Sequence, residues 1–385
     1  DVYNIGIGHR AGTAVTTGTQ NTLIGGLAGD AITTGGLNTA VGYQSLSTNT
    51  TGIRNSALGV DSLLSNTTGA ENVAIGRTAM RLNSTGGSNV AVGHEALQAN
   101  TTASNNTAVG YQSLFANTTG ASNVAVGRVS MASNTTGTLN VAMGQDALGL
   151  NTTGSNNTAV GETCLYSNTT ASNNTAFGSS ALRANTTGAD NTAVGVNALD
   201  TNTTGDNNAA VGKNALDANT TGNFNTALGR GALAANVTAH RSVAVGYNAL
   251  TTANVSGDSN AYNTAVGFGA GAAVTDGLQN TLIGGLTGDS ITSGDNNTAV
   301  GQGALGLETT GGRSVAIGVG ALASQNFTGN QLPYNVAVGL NAGASITTGT
   351  SNTLIGGLCG DNLTTGELCT KVGFNLQESA VGVSN

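Results

Sequence analysis

Glycine returns every seventeen residues along this chain, from Gly8, Gly25 and Gly42 without a break to Gly246. A four-residue slip follows, and the register resumes at Gly267, Gly284, Gly301 and Gly318. A second slip of the same size leads to Gly339, Gly356 and Gly373. A short fixed period with so few insertions means that each unit stacks on the one before it, as in a solenoid. The expectation is an all-β parallel β-solenoid, a β-roll of about 22 coils running continuously through residues 1–385. Such a chain makes a rod, and what it does should be what rods do.

The stations around each glycine fill in the coil. A clean copy reads Asn106-Thr-Ala-Val-Gly-Tyr-Gln-Ser-Leu-Phe-Ala-Asn-Thr-Thr-Gly-Ala-Ser122. The residue before the register glycine is always apolar (Val41, Ile75, Val109, Phe177), with Ala before it in most copies and usually Thr or Val before that. Period-two alternation with β-branched residues predicts a short strand with two unlike faces. One face carries a branched aliphatic and the other only a methyl group, so the methyl face is expected to be closely approached, by a second copy of the chain. Asn stands four before the register glycine, at Asn72, Asn106, Asn140, Asn174 and Asn208 among others. Stacked coil on coil, these amides are expected to form a hydrogen-bonded ladder. The recurring Asn-Thr-Thr-Gly predicts a turn, with Gly supplying a positive φ and Asn closing the bend with its own side chain. The residue after the register glycine varies freely and is expected to face solvent unconstrained.

Most copies carry Leu or Met four after the register glycine and Asn three further on, as in Leu114 with Asn117. Six copies carry Gly and an aliphatic there instead: Gly12 with Val15, Gly29 with Ile32, Gly271 with Val274, Gly288 with Ile291, Gly343 with Ile346 and Gly360 with Leu363. Volume lost at one station returns at the other, so both should line one narrow core of nearly fixed volume. These copies form three two-coil cassettes near residues 8–42, 267–301 and 339–373, each with Leu for the strand Ala (Leu23, Leu282, Leu354) and an added glycine (Gly26, Gly285, Gly357). The apolar side chains offered per coil are few for seventeen ordered residues, which argues for association between chains.

Composition excludes several classes. Charged residues are 8% of the chain and the eleven basic ones are scattered, leaving no basic stripe for nucleic acid. No apolar run of about 18 residues is present to insert in a membrane. The chain opens at Asp1 inside the repeat pattern, which reads as a processed product or a segment of a longer fibre. Three cysteines, Cys164, Cys359 and Cys369, are too few for a disulfide framework, and the first two take a station otherwise held mainly by Ala or Ser.

The segments Asn72-Val-Ala-Ile-Gly76, Ser242-Val-Ala-Val-Gly246 and Ser314-Val-Ala-Ile-Gly318 resemble the head repeat of YadA-type trimeric autotransporter adhesins. The longer unit with Asn-Thr-Thr-Gly is similar to repeats of phage tail fibres and large bacterial surface proteins. The resemblance covers nearly the whole chain and implies a left-handed roll, a homotrimer and a role in attachment. Seventeen residues exceeds the usual adhesin coil. The leading expectation is therefore an extracellular structural protein, a virion tail-fibre shaft or tip presenting host-binding loops to a cell-surface glycan or protein receptor. The alternative is a bacterial surface adhesin or filament of the same architecture. A monomeric ice- or carbohydrate-binding solenoid is a third reading.

Nothing recurs that would do catalysis, since acids are few and no paired carboxylates or Ser-His-Asp grouping appears. No enzyme, cofactor or metal is expected. Gly25-Gly26-Leu27-Ala28-Gly29-Asp30 is similar in outline to a calcium roll, but its spacing is wrong and its copies are not tandem. Ice binding would want two outward Thr per coil, whereas adjacent Thr118 and Thr119 point opposite ways. The slips are the best ligand candidates. They create irregular coils with inserted loops at 251–263 and 323–335, where Asn260, Tyr262, Phe327, Pro333 and Tyr334 are the candidate receptor contacts. Loops carrying aromatics on a rigid scaffold are where recognition tends to sit.

Overall fold

A computed structural model describes residues 2–257, 259–329 and 331–377. They belong to two units, Asp1–Asp190 and Asn191–Asn385. Each unit is a stack of eleven three-residue strands, from β1 (Ile5–Ile7) to β11 (Thr175–Phe177) in the first and from β12 (Thr192–Val194) to β22 (Thr370–Val372) in the second. The chain is thus an all-β parallel solenoid of 22 coils, with no helix among the described residues. Pairing within each unit is parallel and in register with the repeat: Thr107 faces Val124, Ala108 faces Ala125 and Val109 faces Val126. The slip residues are absorbed outside the strands, so Val243 still faces Thr264.

Three residues per strand suffice because hydrogen bonds follow the whole contour of the coil. In one coil, Leu114 N–H donates to Ser130 O at 2.9 Å, Ala116 N–H to Ala132 O at 2.9 Å and Thr118 N–H to Thr135 O at 3.0 Å. The register glycines make the corner after each strand. Gly110 has φ of +133°, and a Cβ there would collide with the backbone of Gly127. Two stations further on, Gln112 and Leu114 both take left-handed backbone, at φ +51° and +52°. That conformation costs a non-glycine residue about 1–2 kcal/mol. Burial of the Leu side chain and the coil-to-coil bonds offset it.

The strand faces are the reverse of the sequence expectation. The central Ala points into the coil and is buried by its own chain, with Ala40, Ala74, Ala108 and Ala159 fully covered. The flanking Thr/Val and aliphatic positions point outward and are half-buried or exposed. Ala is required because Leu from the far side of the coil fills the space opposite it. The cassettes demonstrate the exclusion. A Cβ on Gly12 would lie 2.7 Å from Leu23 Cδ1, and one on Gly29 would lie 2.8 Å from Leu23 Cδ2 and 2.7 Å from Ile32 Cδ1. Leu23, reaching between the two coils, therefore takes the volume that Leu occupies elsewhere. Ile32, Val274, Ile291 and Ile346 are fully buried at the compensating station, which places both stations in one core.

The Asn-Thr-Thr-Gly turn holds a second correction. Gly120 has no positive φ. It is glycine because a Cβ would collide with Gly137 O and with Asn117 Oδ1. Asn117 does close its own bend, donating from Nδ2 to Gly120 O at 2.9 Å, and it also donates to Asn100 Oδ1 at 3.1 Å. The turn asparagines thus form a ladder of their own.

Candidate binding site

Regular coils carry no chemistry at their buried polar stations. Asn72, Asn106, Asn140, Asn174 and Asn208 each donate backbone N–H to the Asn Oδ1 of the preceding coil, at 2.9–3.1 Å. Their Nδ2 groups donate to a turn carbonyl fourteen residues on, as from Asn106 to Gly120 O at 2.9 Å. Thr118 uses its hydroxyl on Thr135 O at 3.0 Å. Asn-Thr-Thr matches the N-glycosylation acceptor pattern Asn-x-Ser/Thr, but the Asn of these turns is buried with its amide engaged, which closes it to modification in the folded chain.

The slips rearrange this pattern. In the first, Ala253 takes the turn-Asn station, Asn254 is pushed out, and Val255 packs inward against Ala239 and Ala261 beside Leu278. In the second, Gln325 takes that station, Asn326 is pushed out, and Phe327 turns in until 2% of it is exposed. Asp258 and Asn330, within the two inserted loops, lie outside the described residues. Phe327 is therefore core, not a surface contact: apolar bulk fills the gap left where the turn ladder breaks. Pro333 is buried too, and its carbonyl accepts Ser351 N–H at 2.7 Å. Asn260, Tyr262 and Tyr334 are exposed, both tyrosines with φ of +51°.

Beneath Phe327 lies Glu308, fully buried in the turn-ladder column. Its Oε1 accepts from the N–H groups of Thr309 (2.9 Å), Thr310 (3.2 Å), Gly311 (2.7 Å) and Phe327 (3.3 Å). Its Oε2 accepts from Gln325 Nε2 at 2.9 Å, and Asn335 Nδ2 donates to Gln325 Oε1 at 2.9 Å. A buried carboxyl group whose oxygens meet five donors in this way is satisfied rather than reactive.

Each exposed tyrosine stands five before a register glycine, and an arginine holds the same station one coil earlier. Arg241 Nη1 donates to Asn260 Oδ1 at 2.5 Å and to Tyr262 Oη at 3.4 Å. Its guanidinium lies 5.8 Å from the Tyr262 ring centre and 5.5 Å from that of Phe224 on the other side. Arg313 repeats the clamp, donating to Tyr334 Oη at 2.7 Å with its guanidinium 5.7 Å from the ring. Arginine is well suited to this, being planar, always charged and stackable on both faces.

Around Arg241 the surface sinks into an open depression of about 220 Å³ lined by Asn223, Phe224, His240, Arg241 and Asn260. His240 Nδ1 accepts Asn223 N–H at 2.8 Å. His240 N–H donates to Ser259 O at 2.9 Å and Ala261 N–H returns to His240 O at 3.1 Å, stitching the loop to the coil before it. Sequence reading found Asn260 and Tyr262 but missed Phe224, His240 and Arg241. The signal was present: once the slip is counted, Phe224, Arg241 and Tyr262 fall on one station of three successive coils.

The station after the register glycine is exposed but not unconstrained. Tyr247 stacks on Phe268 at 5.3 Å with Arg230 over Tyr247, and His94 stacks on Tyr111 at 5.6 Å with Arg77 at 3.1 Å from His94 Nε2. Coil stacking brings these side chains to near-contact distance, so rings and cations pair. Among the described residues no group of three or more His, Cys, Asp or Glu side chains could hold a metal ion, and Cys164, Cys359 and Cys369 are free thiols. No model of a known protein family matches the chain, and no curated protein matches it significantly.

Proposed function

We propose that the chain is a structural and attachment segment of an extracellular fibre, a virion tail-fibre shaft or tip built as a left-handed homotrimeric roll that presents host-binding loops. The carrying observation is the outward strand column. Its third position is apolar in every coil, and Leu58, Met143, Phe177, Leu228 and Ile317 are all exposed there. Isolated exposed apolar residues need no explanation, but a column that recurs coil after coil within each unit is the kind of surface that protein contacts cover. Partner chains are therefore assigned to this aliphatic column, not to the buried Ala face. Attachment is supported by the two clamped tyrosine loops.

Mass measurement in native buffer tests the reading. The expected species is three copies of the 37.5 kDa chain, and Val109→Asp together with Val126→Asp should shift it to monomer. A monomeric wild-type chain would overturn the proposal and leave the single-chain binding solenoid in its place.

A further inference from the structure

The two slips share a scaffold and differ in what they display. The offset that carries Arg241 to Arg313 and Tyr262 to Tyr334 also carries Phe224 to Asn296, His240 to Gly312 and Asn260 to Leu332. Gly312 N–H donates to Gln331 O at 3.0 Å just as His240 N–H donates to Ser259 O, so the second loop keeps its backbone path without the imidazole. Arg and Tyr alone are thus enough to hold such a loop. Phe224, His240 and Asn260 are additions that loop geometry does not require, and all three line the one depression.

We propose that this depression binds a single pyranose ring of a surface glycan, an inference that deepens the attachment reading and rests on it. Phe224, 53% exposed, has one ring face covered by the Arg241 guanidinium and offers its apolar ring edge for contact with the C–H face of a sugar. The guanidinium edge of Arg241 and the amides of Asn223 and Asn260 offer donors and acceptors at fixed positions around it. Arg241 is held by the rings on either side of it and by Asn260, so little side-chain freedom is lost when a ligand arrives. The volume, about 220 Å³, lies below the roughly 300–1,000 Å³ of sites that enclose drug-sized ligands. One ring fits that size, and a folded partner does not need a depression.

Saturation-transfer NMR on the whole chain tests the site, with the methyl glycosides of glucose, galactose, N-acetylglucosamine and N-acetylneuraminic acid as probes. Transfer to the ring protons of at least one glycoside is expected. Affinity should fall about tenfold in Phe224→Ala, a surface change that leaves the Arg241–Tyr262 hydrogen bond in place, and should be unchanged in Arg54→Ala, far along the chain in the first unit. Transfer to none of the four, or transfer that survives Phe224→Ala, overturns the site. The native mass separates this failure from that of the parent reading. A trimer without sugar transfer defeats only the site, and a monomer with transfer defeats only the fibre assignment.

Discussion

Regular coils and cassette coils fill the same interior in two ways. In a regular coil, Leu114 reaches across to a strand that carries only Ala108, and Asn117 ties the turn to its neighbours. In the cassette, Leu23 comes from the strand side, Gly12 and Gly29 make room for it, and Ile32 replaces the turn amide. The two solutions cannot be mixed within a coil, since a Cβ at Gly29 already lies 2.8 Å from Leu23 Cδ2. The core is thus defined by its volume and is indifferent to which wall supplies it. What the cassette gives up is the turn-amide ladder, replaced there by aliphatic packing, while the strand-side ladder continues from Asn21 to Asn38.

The largest effect should come from removing bulk without return. Leu114→Gly leaves the Ala108 side facing a cavity, and a loss of about 2–5 kcal/mol is expected in urea melts. The relief of left-handed strain at that position recovers only about 1 kcal/mol. An unchanged melt would show that neighbouring coils collapse into the gap, and that volume is not what the two coil types conserve.

Overfilling comes next. Gly29→Leu should cost about 1–3 kcal/mol, because Leu23 and Ile32 already occupy the space. Adding Leu23→Ala should recover part of that loss, converting the cassette coil toward the regular type. A coupling of about 0.5–3 kcal/mol is the expected sign of direct contact. Additive effects in that double-mutant cycle would break the claim that the two leucines exclude each other.

Sequence alone could carry this comparison surprisingly far, and its failures have definite causes. The period located every strand, and the Gly/aliphatic exchange located the core stations. Alternation, however, says only that two faces differ. Which one is inside depends on what crosses the coil to meet it, and Leu114 lies six residues from Ala108 on a path whose closure the sequence does not display. The turn glycine was misread for a related reason: Gly120 answers to a neighbouring coil's carbonyl, not to its own φ. Phe327 and Pro333 were read as surface because they sit in an insertion, yet an insertion that breaks the turn ladder leaves a hole that something apolar must fill. The Arg–Tyr clamps were hidden by the slips, which add four residues to the spacing at just those coils.

Glu308 sharpens the comparison by adding a third way to fill the turn station, between Ile291 of one cassette and Ile346 of the next. Glu308→Gln keeps the shape but replaces one acceptor oxygen by a donor. Gln325 cannot turn over to accommodate it, because its Oε1 already accepts from Asn335. One donor faces another, and a loss of about 1–3 kcal/mol is expected. Hydrogen exchange should show it at the amides of residues 309–311 and 327, with the first slip unaffected. Unaltered protection there would mean that the carboxylate does not hold the second loop.

The smallest effect concerns the station three after the register glycine, where Cys164 sits in a regular coil and Cys359 in a cassette coil, both buried. Burial pushes the Cys164 thiol up to about 12, against an ordinary value near 8.5. The folded chain therefore keeps this proton where the unfolded chain releases it. The unfolded state binds fewer protons between those values, so the stability that this residue contributes is complete below about pH 8.5 and declines as pH rises toward 12. Cys164→Ala, which restores the residue found at Ala147 and Ala181, should flatten the alkaline fall in stability between about pH 8.5 and 10.5. Iodoacetamide supplies the independent check: half-buried Cys369 should react in the folded chain, and Cys164 only as fast as its coil opens. Equal labelling of the two thiols in folded protein would show that the regular coil leaves Cys164 as accessible as half-buried Cys369, and that its turn-amide ladder adds no local stability over packing alone.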